Sequence, residues 1–188
     1  MKTRLIITAI LFLNFTLQAQ EANKKNVLFI IVDDLRAALP TYGNQQVVAP
    51  NITNFSESAV QFNNAYVNIP TCGASRASIL TGIRPTREYF KKFTTSIDRD
   101  MPNAITFPGL LKSKGYTTIS NGKISHNRDD MDFTWSEIWR PKGLYNNQDY
   151  VDRSTSDSLE VGGLGAVYPF ENLDVPDSAY KDGKIAAK

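Results

Sequence analysis

The 188 residues contain one cysteine, Cys72, and one histidine, His126. A lone thiol excludes a disulfide framework within the chain. Charge of one sign is also missing: 21 basic residues face 19 acidic ones, a net charge of +2. No global basic field is there to attract nucleic acid or acidic lipid, so any pull on an anion has to be local. No segment is of low complexity and no internal repeat is present, which excludes solenoids and arrays. At this length the chain affords one hydrophobic core and no second full domain. Only one long apolar run occurs, residues 5–17 (LIITAILFLNFTL), and it is short for a membrane span.

That run follows Lys2 and Arg4 and precedes Gln18-Ala19-Gln20, where a small residue marks a cleavage point. The layout is that of a signal peptide over residues 1–19, with a permanent N-terminal anchor as the alternative. Export to the periplasm or outside the cell is therefore expected, with no stable membrane span. Removing Lys2 and Arg4 leaves 19 basic residues, equal to the 19 acidic ones.

Residues 26–32 (NVLFIIV) are continuously apolar and rich in β-branched side chains. This pattern predicts a strand buried on both faces, as in a parallel sheet. It stops at Asp33-Asp34, and the carboxyl end of such a strand is where α/β sheets bind ligands. The pair suits a cation; a turn or helix cap serves equally well. Residues 50–59 predict a helix capped by Asn51, and 60–66 an extended segment or strand. A second helix opens over 75–80 and closes at Thr81-Gly82. A third covers 103–114, with Leu110 and Leu111 on its buried face and Gly115 as its stop. Residues 116–120 predict a strand, with Asn121-Gly122-Lys123 at its carboxyl end. This order predicts an α/β fold with a largely parallel central sheet and flanking helices. Residues 127–177 read as long loops. A helix begins at Asp177 or Ser178 and meets no stop signal before Lys188. The sequence thus reads as the N-terminal part of a longer protein.

Four features lie at predicted sheet edges: Asp33-Asp34, Cys72 with Arg76, Lys123 and His126. Each has an ordinary explanation: a cap, a buried or intermolecularly bridged thiol, a solvated arginine, a loop lysine, a structural histidine. Together they describe an anion site with a cation, fixed positive side chains and a nucleophile. Cys72 stands among Pro, Thr, Gly, Ala and Ser, which favours a turn over a core strand. At a helix N-terminus it would face unpaired N–H groups that favour a thiolate. Arg76, four residues on, shares its helical face and could fork onto two oxygens of an oxyanion.

The stretch Cys72-Gly73-Ala74-Ser75-Arg76, followed by Ala77-Ser78-Ile79-Leu80-Thr81-Gly82, resembles the sulfatase signature C-x-(P/A)-S-R-x-x-x-L-T-G. NVLFIIVDDLR resembles that family's first strand and metal-binding aspartates. APNITNFSESAVQFNNAY resembles the segment before the signature, and GYTTISNGKISH (115–126) the G-Y-x-T-x-x-x-G-K-x-x-H segment. VDDLR, the signature and GKISH resemble iduronate-2-sulfatase-like members in particular. The four motifs occur in family order, up to His126.

The resemblance implies the alkaline-phosphatase-like fold and a sulfuric ester hydrolase. Cys72 would be oxidised to Cα-formylglycine by a formylglycine-generating enzyme or a radical-SAM maturase; most such members carry Pro where Ala74 stands. The hydrated aldehyde is a geminal diol. One hydroxyl attacks sulfur and the alcohol leaves. The second is then deprotonated and expels sulfate, restoring the aldehyde. Asp33 and Asp34 match Ca²⁺ ligands, with the diol at Cys72 facing the same ion. Arg76 would orient the diol, Lys123 neutralise charge on the sulfate, and His126 assist sulfate elimination. The implied substrate is a sulfated polysaccharide or oligosaccharide. The family's remaining Ca²⁺ ligands and second Lys and His have no counterpart in residues 127–188. The chain alone is accordingly expected to be inactive. Two alternatives stand beside this reading. One is a phosphoesterase or phosphonate hydrolase of the same superfamily, whose nucleophile is usually Ser or Thr. The other is an inactive fragment that only binds sulfated glycans.

Overall fold

The computed structural model describes residues 24–142, 151 and 173–188. The expected leader, and most of the loops expected after residue 142, lie outside them. The chain divides into two units, Met1–Val32 and Asp33–Lys188.

Of the first unit, residues 24–32 are described. Here the expectation of a buried strand fails. The run carries no strand assignment, and Leu28 and Ile30 are 85% and 74% exposed. A strand is buried by its neighbours, and an apolar run cannot supply them itself. No ladder includes this run.

In the second unit, helix α1 is Pro50–Ser56. Pro50 rather than Asn51 starts it: the cap position is Ala49, and the fixed φ of proline suits the first helical turn. Residues 60–66, expected as a strand or extended segment, carry no strand and bend at Asn63-Asn64, and Val60, Phe62 and Tyr66 are exposed. Helix α2, Cys72–Thr81, begins three residues before the expected start and puts Cys72 at its first position. Gly82 ends it in the left-handed region at φ 69°, which favours a residue without Cβ. A short helix α3, Ile97–Asp100, was not expected.

Helix α4, Phe107–Ser113, is shorter than the expected 103–114. Thr106 caps it, accepting a bond from the Gly109 amide, and Gly115 follows at φ 80°. Its buried residue is Pro108, whereas Leu110 is 49% exposed. Seven residues give only two turns, too few for a continuous apolar stripe.

Strand β1 is Ile119–Asn121 and β2 is Glu137–Trp139. They pair in parallel, Ser120 opposite Ile138, as the only sheet among the described residues. Strand β2 falls where loops were expected. The mixture of helices with a parallel pair agrees with the α/β class. At the C-terminal end a 3₁₀ turn, Asp177–Ala179, precedes helix α5, Lys181–Ala186, which starts from Tyr180 with no side-chain cap. No helix among the described residues is long and apolar enough to cross a membrane.

Ala77 and Leu80 of α2, Phe90, Ile97 and Met131 form the core, with Ile83, Met101, Phe107 and Ile124 packed around it. One face of α2 is thus held by apolar packing. Its N-terminal end carries the polar cluster.

Candidate active site

Cys72 opens α2 after Thr71, whose extended backbone brings the chain into the helix without a side-chain cap bond. The amide end of α2 is thus left to other partners. Gly73 follows because the chain passes close by: a Cβ there would run into the Phe93 carbonyl oxygen.

The expected pairing of Cys72 with Arg76 is present. The Arg76 Nε–H donates to Cys72 Sγ at 3.2 Å, and the thiol donates to Asp33 Oδ1 at 3.4 Å. Arg76 Nη2 donates to the same Asp33 oxygen at 2.7 Å, and Nη1 to the carbonyls of Lys123 and Ile124 at 2.8 and 2.9 Å. Lys123 Nζ reaches Asp33 Oδ2 at 2.5 Å. Residues far apart in sequence therefore meet around one thiol.

The role expected of Arg76 needs correcting in its geometry. Four of its five N–H donors are already taken by protein acceptors, and the side chain is buried. A guanidinium so engaged cannot fork onto two oxygens of a ligand without giving up bonds. Its geometry is that of a group that holds Cys72 and Asp33 in place.

The electrostatics follow. Burial works against the charge on Asp33, but bonds and charge from Arg76 and then Lys123 outweigh it, so its carboxyl lies well below the usual carboxylate range. Burial likewise opposes the charge on Arg76, and Asp33 and Cys72 more than restore it.

His126 is joined to this cluster through a residue that the sequence did not flag. The Phe93 ring meets the imidazole edge-on, centroids 4.1 Å apart, while the Phe93 carbonyl abuts Gly73. The Nδ1 atom of His126 is buried without a hydrogen-bond partner. Burial first, then the charges of Lys123 and Arg76, push its pKa below the ordinary 6.5.

Asp34 is exposed, with a left-handed backbone at φ 53°. Ca²⁺ takes six to eight oxygen ligands. Among the described residues no three His, Cys, Asp or Glu side chains converge to hold a metal, and Asp33 gives both oxygens to cations. The residues brought together here do not by themselves make a Ca²⁺ cage.

Residues 25–162 match the protein-family model described as Sulfatase. The chain is 34% identical to iduronate 2-sulfatase of Homo sapiens over 164 residues, 84% of this chain and 29% of that protein. It is 30% identical to N-acetylglucosamine-6-O-sulfatase of Bacteroides thetaiotaomicron over 137 residues, 72% of this chain and 24% of that one. It is 43% identical to arylsulfatase of Clostridium perfringens over 102 residues, 54% of this chain and 21% of that one. The chain therefore spans less than a third of the length of these relatives.

Proposed function

Since the chain belongs to the sulfatase family, we propose that it carries the nucleophile side of a sulfate-ester hydrolase. Its nucleophile is Cys72 after conversion to formylglycine. The observation that carries this reading is the position of Cys72 Sγ, at the first residue of α2 and between Asp33 and Arg76. Sγ marks the place of one oxygen of the hydrated aldehyde, whose two hydroxyls would both be carried by Cβ. That group supplies two hydroxyls, one to attack sulfur and one to expel sulfate.

This chain's own residues do the rest. Arg76, fixed by two carbonyls, holds the nucleophilic side chain in one rotamer. Lys123, 28% exposed, brings a positive charge beside it that can turn from Asp33 to a sulfate oxygen. Burial, with the charges of Lys123 and Arg76, favours the uncharged form of His126, and an uncharged imidazole can accept the proton of the second hydroxyl. Asp33 and Asp34 contribute acidic ligands to a Ca²⁺ site whose other ligands lie outside the described residues.

Two relatives bear sugar names, iduronate 2-sulfatase and N-acetylglucosamine-6-O-sulfatase. We take the substrate to be a sulfated sugar chain. Export by residues 1–19 and conversion of Cys72 by a maturation enzyme belong to the same proposal.

The test is the mass of the tryptic peptide containing Cys72, read together with turnover of an aryl sulfate, after this sequence is co-expressed with a maturation enzyme within a protein that supplies the remaining Ca²⁺ ligands. The expected result is the mass deficit of formylglycine, no turnover in Cys72→Ala and a stalled sulfated intermediate in His126→Ala. An active preparation in which Cys72 remains an intact thiol would overturn the reading.

A further inference from the structure

Beside the cluster at Cys72 lies a cavity of about 300 Å³ that the mechanism does not use. It sits at the small end of the range for ligand pockets. Lys91, Lys92 and Arg99 supply its positive charges, and Glu88 and Asp100 its negative ones. These charges are not equally spent. Asp100 is paired with Arg99 at 3.0 Å. Glu88 accepts a bond from the Thr86 hydroxyl at 2.8 Å. Neither the Lys91 nor the Lys92 ammonium has a carboxylate partner among the described residues, and that of Lys91 bonds only to the Arg87 carbonyl. Over residues 84–92 the sequence carries Arg84, Arg87, Lys91 and Lys92 against the single acid Glu88. In a nearly neutral chain, this is a local excess of positive charge around a concave surface, where an anion is drawn in.

The cavity is tied to the nucleophile by a short turn. The Thr95 amide closes that turn onto the Lys92 carbonyl at 3.1 Å, and both residues line the cavity. Phe93, inside the turn, touches Gly73 with its carbonyl and His126 with its ring. The Asn127 side chain donates to the Thr95 carbonyl at 2.7 Å. Four residues span at most about 14 Å. An anion in the cavity and a sulfate at Cys72 would lie on two flanks of this turn, whose Thr95 amide stands 3.1 Å from where a Cβ on Gly73, the residue after Cys72, would be.

We propose that this cavity is a second anion subsite. Lys91 and Lys92 there take a further acidic group, sulfate or carboxylate, of the sugar chain whose ester is cleaved at Cys72. This rests on the sulfated-glycan reading above. It adds that the protein prefers substrates with two acidic groups over those with one.

The experiment compares this sequence, within a protein that supplies the remaining Ca²⁺ ligands and matured with its partner enzyme, with the double variant Lys91→Ser/Lys92→Ser. Three substrates are used: a monosulfated aryl ester, a sulfated disaccharide that also bears a carboxylate, and the same disaccharide with the carboxylate reduced to an alcohol. KM for the di-acidic sugar should rise about tenfold in the variant, the size of one lost charge-assisted contact. kcat, the aryl ester and the reduced sugar should be unchanged. Equal KM values for the di-acidic and reduced sugars in the unmodified sequence would overturn the subsite. So would an equal rise for both in the variant. If no sulfate ester is turned over at all, the functional reading fails on its own. Calorimetric binding of the di-acidic disaccharide to both proteins then decides the cavity: a tenfold loss supports it and equal affinity overturns it. Full displacement of the bound disaccharide by inorganic sulfate at similar concentration would reduce the cavity to a general anion trap and also overturn the proposal.

Discussion

Asp33 and Asp130 each accept several hydrogen bonds, but their partners differ in kind. Asp33 is partly open to solvent, its side chain 41% exposed, and it is held by Arg76 and Lys123. Asp130 is 6% exposed and is held by the Ser96 hydroxyl and the amides of Ile97 and Asp98, at 2.9 to 3.0 Å. In return Asp98 accepts the Met131 amide at 2.8 Å, closing a clasp between the start of α3 and residues 130–131. Backbone amides are fixed by the fold and cannot turn toward anything else. Side-chain cations can. Asp130 therefore anchors the segment that carries Phe93 and the cavity, while Asp33 organises charges that a substrate can compete for.

The largest effect should come from Arg76, which belongs to both kinds. It is a side-chain cation, yet two of its bonds go to backbone carbonyls. Arg76→Ala leaves those partly buried acceptors without a donor and Asp33 with one cation, and should cost about 2–4 kcal/mol in urea unfolding. Arg76→Lys keeps the charge but not the fork, and should recover less than half of that loss. A cost below about 0.5 kcal/mol for Arg76→Ala, the level of an ordinary surface substitution, would show that the two carbonyls find other donors, and would place Arg76 with the redirectable charges.

Next comes Asp130→Ala. It leaves the first two amides of α3 and the Ser96 hydroxyl without their acceptor, at about 2–3 kcal/mol. Turnover per folded molecule should be unchanged below the melting transition, because no reacting atom lies against Asp130. A large drop in turnover with stability intact would break the division between the two aspartates.

Reading the sequence recovers these two sites unequally. The Asp33 site was legible because its parts carry local signals: an Asp pair ending an apolar run, Cys72 and Arg76 one helical turn apart, and Lys123 just after a predicted strand. The stops at Gly82 and Gly115 were legible because glycine alone adopts a left-handed backbone freely. The Asp130 clasp was not legible, since a carboxylate bonded to amides some 32 to 33 residues earlier leaves no periodic trace. Strand β2 was missed because three residues are too few to show alternation. The apolar run 26–32 was read as buried because hydrophobicity reports what a segment wants to cover, while the covering comes from elsewhere.

The smallest stability effect should come from Lys123, and it sharpens the comparison most. Its ammonium has a single carboxylate partner, Asp33, across a pair open to water on both sides. Such pairs contribute about 0–1 kcal/mol, and salt screens them further. Lys123→Met keeps the length of the stem and removes the charge. Unfolding free energy should shift by no more than that amount, and by less in 0.5 M salt than in dilute buffer. Turnover of a sulfate ester should nevertheless fall at least about tenfold, because the charge is spent on the reacting sulfate and little of it on the fold. The opposite pattern, a fold as weakened as in Arg76→Ala with turnover per folded molecule intact, would make Lys123 a second anchor. Asp33 would then be a structural aspartate of the same kind as Asp130.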